Sequence, residues 1–478
     1  MAKTLKEKTA GALMWTISDR FGQQSLQFAL SVILTRFFLS PEDFGLMAML
    51  TIFIAMGMIL SDGGLSTALI RKKEVSQTEL SSVFYVNVAA GILMYSVLFV
   101  AAPFIAAFYA QPQLTLLCRV ASIPFVLNSF AVVQTVNLTR ELNFKQIAKI
   151  NFIALICSAA ISLLSAANGM GVWTFVFQNV SYSAVRNMCY WIHRSWRPSL
   201  VFSMSDVKAL WKFSRNILAT YTLNVIFFHM YSLLAGKFYK LHDVGYYSQA
   251  DKLTSLGASS LSSGLQAAVY PVLSQIGNDE ERLQRATRKA VRVTAFVTFP
   301  AMLGLAVTAD SLVTVLLTDK WASIVPYIRI LSIGWIALVF TALHLSVFYT
   351  KGLGETSLKL ELVKKGIILI CAVFTVRLSL FAMVTGLAAA HLAGFVISSV
   401  TLGRKMGYLI IDQIKDIFPY LCIALLMSAG VYGLTYLIDS KVLLLLLQVT
   451  SGAAFYIASV HLLGSKIFKE MLELIKKR

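Results

Sequence analysis

The sequence predicts an all-α polytopic membrane protein with fourteen transmembrane helices. Of its 478 residues, 57% are hydrophobic and only 14% charged, with a mean hydropathy of +0.72, which a soluble chain with an ordinary surface does not carry. Fourteen apolar stretches reach the roughly 20 residues needed to cross the hydrocarbon core. Between them, Lys and Arg concentrate in alternate gaps, the bias that leaves basic loops in the cytoplasm.

Span 1, residues 12–37, is longer than the apolar core of a secretory signal and carries Asp19 and Arg20, so it reads as a retained helix. The turn Ser40-Pro41-Glu42-Asp43 leads to span 2 (44–68), in which Asp62-Gly63-Gly64 predicts a broken or closely packed helix. After Arg71-Lys72-Lys73 come span 3 (81–109), the turn Ala110-Gln111-Pro112-Gln113 and span 4 (114–136). Arg140, Lys145 and Lys149 mark the gap before span 5 (147–167), and Asn168-Gly169-Met170-Gly171 leads into span 6 (170–192). Arg194, Arg197, Lys208 and Lys212 precede span 7 (213–236), and span 8 covers 247–275. Arg282, Arg285, Arg288, Lys289 and Arg292 lead into span 9 (291–317), which a short gap separates from span 10 (323–349). Lys351, Lys359, Lys364 and Lys365 are assigned to the gap at span 11 (358–376), and Arg377-Leu378 joins it to span 12 (379–402). Arg404, Lys405 and Lys415 precede span 13 (416–437), span 14 covers 442–463, and the tail from Lys466 to Arg478 reads as a basic amphipathic helix on the cytoplasmic leaflet.

Thirty basic residues are thus assigned to the even-numbered gaps and the tails, against five in the odd-numbered gaps: Lys237, Lys240, Lys320, Arg377 and Lys441. This places both termini in the cytoplasm. The net charge of +19 would suggest nucleic acid in a soluble protein; here basic loops and anionic lipid headgroups account for it, and no nucleic-acid partner is expected. Cys118, Cys157, Cys189, Cys371 and Cys422 lie in or beside spans without CxxC spacing, so neither a disulfide framework nor a zinc site is indicated. With no Walker A sequence, no HExxH and no loop large enough for a catalytic domain, neither a cofactor nor enzymatic activity is expected. A glycan polymerase or ligase fails for the same reason.

Phe38, Asp43 and Gly45 recur as Phe238, Asp243 and Gly245, two hundred residues later and at the same point of the topology. Asp suits capping of the next helix and Gly permits close approach. A repeat of six spans preserves membrane orientation, so the chain divides into an N-terminal lobe (1–200), a C-terminal lobe (201–405), and spans 13 and 14 with the tail (406–478). Transporters built from parallel repeats bind substrate between the halves, near the midplane.

The chain resembles the multidrug/oligosaccharidyl-lipid/polysaccharide exporter superfamily, and within it the polysaccharide transporters of the WzxC-like lipopolysaccharide and exopolysaccharide flippase branch. The phrases that carry this are Leu39-Ser40-Pro41-Glu42-Asp43-Phe44-Gly45-Leu46, the segment from Ser61-Asp62-Gly63-Gly64 to Ile70, Arg140-Glu141-Leu142-Asn143-Phe144, Gly171-Val172-Trp173, and Val244-Gly245-Tyr246-Tyr247-Ser248-Gln249-Ala250-Asp251-Lys252-Leu253. The resemblance implies two six-helix lobes in a V around a central cavity, plus two C-terminal helices, and an undecaprenyl-pyrophosphate-linked sugar or related glycan as cargo.

Charges inside spans are expensive and mark candidate sites. By resemblance, Arg20 lines the cavity with Asp19 close by, and Lys252 beside Asp251 falls in the most family-like phrase. Arg215 provides a cationic mouth toward the cytoplasm, and Arg119 and Arg329 are further cavity candidates near the periplasmic ends. Arg36 and Arg186 read as snorkelling residues. Asp62 is a hinge or packing residue and the candidate for coupling to Na+ or H+. His229, His344 and His391 read as hydrogen-bonded helix contacts. Guanidinium geometry suits a diphosphate, whereas a drug-cation exporter favours acidic lining.

The sequence therefore predicts an alternating-access flippase of the bacterial cytoplasmic membrane. Its expected partners are a lipid-linked oligosaccharide, membrane lipids and the glycan assembly machinery. The alternative is a cation-coupled multidrug or small-molecule exporter of the same superfamily.

Overall fold

The computed structural model describes residues 5–193, 196–276, 279–464, 467, 468 and 470, and among them there is no β-strand. In chain order the helices are α1 (Leu5–Phe37), α2 (Pro41–Asp62), α3 (Leu65–Arg71), α4 (Gln77–Tyr109), α5 (Leu114–Ala121), α6 (Ile123–Ser129), α7 (Val132–Arg140), α8 (Phe144–Ala167) and α9 (Trp173–His193). There follow α10 (Met204–Phe238), α11 (Leu241–Ile276), α12 (Glu280–Leu317), α13 (Val325–Thr350), α14 (Gly354–Thr375), α15 (Leu380–Met406), α16 (Ile410–Gly433) and α17 (Lys441–Leu462). Most of the tail predicted as an amphipathic helix lies outside the described residues.

Among the described residues, nine helices are long and apolar enough to cross a membrane, or ten if Leu114–Ser129 and Val132–Arg140, bent by 45°, form one span. The predicted spans 1, 6, 8 and 11 are also helical, as α1, α9, α11 and α14. These four helices are more polar than the others: α1, α9 and α11 are rich in Ser, Gln, Asn and Gly as well as carrying charges such as Arg20, Arg186 and Lys252, and α14 carries Lys359, Glu361, Lys364 and Lys365.

Two predicted spans are not single helices. Span 2 ends as a helix at Asp62, and α3 starts at Leu65, because Gly63 (φ 58°) and Gly64 (φ 72°) both adopt the left-handed conformation that glycine tolerates. A Cβ on Gly64 would stand 3.2 Å from the Ser214 carbonyl of α10, so both the predicted break and the predicted close packing occur. Span 4 is three short helices, α5 to α7; Pro124 in the first turn of α6 provides no N–H to continue α5.

Backbone packing divides the chain into units 1–245 and 246–478. The repeat assigns α10 to the second lobe, yet by packing α10 belongs to the first unit. It packs on α2, α3 and α4, and the buried Ser214 hydroxyl donates to the Gly64 carbonyl at 3.1 Å. The connection leading into α10 is tied to α4: Trp196 Nε1 donates to Gln77 Oε1 at 2.6 Å, Ser199 N to Ser81 Oγ at 3.1 Å and Ser203 N to Ser82 Oγ at 2.8 Å. Beneath that strap, Phe84 meets Phe130, Trp191 and Trp196 edge-on, with centroids 5.7 to 6.1 Å apart.

The two copies of the repeated turn face each other within the first unit. A Cβ on Gly45 would collide with the Leu241 carbonyl, and one on Gly245 with the Pro41 carbonyl. Pro41 and Leu241 are themselves two hundred apart, so the contact is reciprocal about the repeat. Asp43 fulfils the predicted capping role jointly with Ser40: its Oδ2 accepts from Ser40 N at 2.9 Å while Ser40 Oγ accepts from Asp43 N at 3.4 Å.

The second unit has its apolar core on α12, α13, α15, α16 and α17, including Phe299, Phe340, Leu402, Ile423 and Tyr456. At one end of that core the Asp416 side chain, 5% exposed, accepts from Arg288 Nε at 2.9 Å, Arg292 Nη2 at 2.5 Å and Tyr408 OH at 2.7 Å. Burial, and then its hydrogen bond to Asp416, push the Tyr408 phenol upward, so it remains a donor. Asp416→Ala is expected to destabilise this unit by about 2 kcal/mol, below the roughly 3 to 5 of a fully buried pair because both arginines are more than a third exposed and rehydrate. A thermal-unfolding scan of the purified variant measures it; an unchanged midpoint would count against the network's structural role.

Candidate functional site

Asp19 and Arg20 differ sharply, as their 100° separation on α1 requires. Asp19 is partly buried and held by neighbours: Gln23 Nε2 donates to it at 2.7 Å and Asn151 Nδ2, from α8, at 3.1 Å. Arg20 is exposed and has no hydrogen bond or ion pair among the described residues. The two do not pair.

Asp62 and Arg186 line one cavity of about 280 Å³ in the first unit. Ser61, Ser66, Asn128 and Thr135 add polar groups, against Met58, Phe125 and Val132. Ser66 Oγ donates to Asp62 Oδ2 at 2.8 Å, and the backbone amides of Gly64 and Ser66 also donate toward this carboxylate. Arg186 is partly buried, its guanidinium 5.6 Å from the Tyr190 ring centre and its Nε without a partner among the described residues. Tyr182 lies within electrostatic reach of both Arg186 and Asp19, so polar side chains from α1, α8 and α9 gather near this cavity.

Arg186 was expected to snorkel; the fold instead turns it to the cavity. The overlooked signal is the spacing Tyr182, Arg186, Tyr190, which puts three polar side chains on one helical face.

The remaining candidates are dispersed. Arg119 is engaged by α4: its Nε donates to the Phe99 carbonyl at 3.3 Å and its guanidinium lies 4.2 Å from that ring's centre. Arg215 is exposed on α10 beside the buried Ser214, and Arg36 lies 5.6 Å from the Phe37 ring centre. In the second unit, Asp251 and Lys252 are partly buried on α11, and Arg329 lines a separate cavity with α12, α16 and α17.

A further charged group within a helix went unrecognised in the sequence. Lys364 and Lys365, assigned to a cytoplasmic gap, sit mid-way along α14. Lys364 is paired with Glu361, and its methylenes pack where a Cβ on Gly394 would stand, at 3.0 Å. His344 and His391 lie within its electrostatic reach. His344 is fully buried, with Nδ1 2.9 Å from Ser398 Oγ and its ring stacked on Phe395, the helix contact expected of it.

The chain is similar to the succinoglycan biosynthesis transport protein ExoT of Rhizobium meliloti, with 28% identity over 74% of this chain and 72% of that protein. It is also similar to the lipopolysaccharide biosynthesis protein WzxC of Escherichia coli, with 25% identity over 87% and 81%. Among solved structures, the inward closed conformation of the lipid II flippase MurJ shares the fold with a TM-score of 0.79 at 15% identity, covering 96% of this chain and all of that one. An inward-facing multidrug resistance MATE transporter gives 0.62 at 15% identity, covering 80% and 94%. The profile described as Polysaccharide biosynthesis protein matches residues 33–326, more than half of the chain, and this multi-pass membrane protein belongs to that family.

Proposed function

We propose that this protein is a flippase that moves an undecaprenyl-pyrophosphate-linked oligosaccharide, or a related polysaccharide precursor, across the bacterial cytoplasmic membrane. Membership of the polysaccharide biosynthesis family carries the reading. The surplus of basic over acidic residues within the spans supports an anionic headgroup as cargo. The protein acts as a carrier and not as an enzyme. Its fourteen spans comprise two repeats of six, with spans 13 and 14 appended and both termini in the cytoplasm.

The headgroup enters from the cytoplasmic side, where Arg215 and the basic loops attract it, and Arg20 and Lys252 take the diphosphate. A guanidinium matches two phosphate oxygens at once, whereas the ammonium of Lys252 acts as a point charge. The prenyl chain stays in lipid while the lobes rock to expose the sugar outside. Asp62, which lines the same cavity as Arg186, takes the coupling Na+ or H+.

Two experiments test this. Purified protein in liposomes should translocate a prenyl-diphosphate sugar from its host's pathway; failure there, with efflux of ethidium or norfloxacin instead, would replace the reading with a small-molecule exporter. Asp62→Asn should abolish the response of transport to an imposed proton or sodium gradient, leaving downhill movement measurable. A gradient response equal to wild type would remove Asp62 from the coupling step.

A further inference from the structure

Arg329 lies roughly 6 Å along α13 from its start, and Asp310 roughly 10 Å back from the end of α12, at 1.5 Å per residue. Both are therefore below the helix ends. They line a cavity of about 180 Å³ in the second unit, together with Ser311, Tyr432 and Gln448. Lys441, at the start of α17, donates to Asp310 Oδ2 at 2.6 Å. That pair uses the only carboxylate lining the cavity among the described residues.

The polar floor is ordered. Gln448, 2% exposed, accepts from Ser311 Oγ at 2.5 Å and donates to the Val431 carbonyl and Thr435 Oγ1, each at 3.3 Å. Arg329 is exposed and has no hydrogen bond or ion pair among the described residues. With Lys441 neutralised by Asp310, the group retains one net positive charge, on a guanidinium set below the helix end.

The surroundings are those of a lipid interface. Tyr432 and Tyr436 stand at the end of α16, 44% and 76% exposed, and the outer face of α17 presents Leu443 and Leu446 at 50% and 59%. Aromatic residues at a helix end beside an exposed leucine face suit the boundary between headgroups and acyl chains.

We infer that this cavity is a binding site for the phosphodiester of an anionic phospholipid. Arg329 holds the phosphate, and the acyl chains lie along α17. One phosphodiester negative charge balances the one uncompensated positive charge. Under the topology proposed above the site faces the outer leaflet. It is separate from the sugar-diphosphate path, and it gives Arg329 a role other than the cargo binding expected from the sequence.

The test uses full-length protein, delipidated in detergent, titrated with dioleoyl phosphatidylglycerol or phosphatidylcholine and read by native mass spectrometry. Wild type is expected to retain phosphatidylglycerol in preference to phosphatidylcholine. Arg329→Gln is expected to retain one fewer and to bind it about fivefold or more weakly. Asp310→Asn raises the net charge of the cavity and is expected to bind it more tightly, which tests the site even if Arg329→Gln does not fold. Binding by Arg329→Gln equal to wild type, or weaker binding by Asp310→Asn, would overturn the site. Displacement of the lipid by millimolar inorganic phosphate would reassign it to a soluble anion. Sugar translocation retained alongside loss of this lipid would leave the proposed transport function standing, so the two readings fail separately.

Discussion

Arg20→Ala is expected to reduce transport of a prenyl-diphosphate sugar by roughly tenfold or more, since under the proposed function it removes a bidentate phosphate partner. The same change should leave insertion and thermal stability within about 0.5 kcal/mol of wild type, because Arg20 is exposed and supports no other side chain. Arg20→Lys should recover part of the activity, as charge persists while the planar fork is lost. Lys252→Ala should act in the same direction. Asp19 provides the contrast: tied to Gln23 and Asn151, it joins α1 to α8, and its loss should cost stability as well as activity. Proteoliposome transport and unfolding measured on the same samples separate these effects. Wild-type transport in both Arg20→Ala and Lys252→Ala would remove the assigned binding residues while leaving the fold untouched.

Gly245→Val is expected to destabilise the first unit by about 3 kcal/mol, the upper end of the cost of overpacking. The reason is that the added Cβ meets main chain, at the Pro41 carbonyl, rather than a side chain that can rotate away. Gly45→Val should behave alike, because its Cβ meets the Leu241 carbonyl. The two effects should be less than additive, since either substitution alone already separates the same pair of helix starts. Gly257→Val is the control: nothing lies within 4 Å of a Cβ there, and no comparable loss is expected. Unfolding midpoints of the four variants, with the double mutant included, measure this; midpoints for Gly45→Val and Gly245→Val equal to the control would contradict the reciprocal contact.

Much of the fold was legible because its signals are local. Apolar length set the helices, and Gly63-Gly64 announced the break that the left-handed backbone makes. The repeated Asp-x-Gly turn announced a cap and a close approach, though not that its two copies pack on each other, which depends on tertiary placement. The break in span 4 carried a signal that apolar length masked, Pro124. Lys364 was misassigned because charge alone does not distinguish a loop lysine from one whose stem packs on a glycine and whose head meets Glu361. The candidate site was legible as a set of residue types rather than as a grouping. Asp62 was found, but its neighbour Arg186 was not, because the alignment of α9 with α2 and α3 is a property of the packed unit.

The most direct test of the central claim is translocation of a fluorescent or isotopically marked undecaprenyl-diphosphate sugar in liposomes containing only this protein. Wild-type protein should carry the sugar across faster than empty liposomes, and Arg20→Ala should return the rate to near that background. No acceleration with any prenyl-diphosphate sugar of the host pathway, from protein shown to be folded and inserted, would contradict the account.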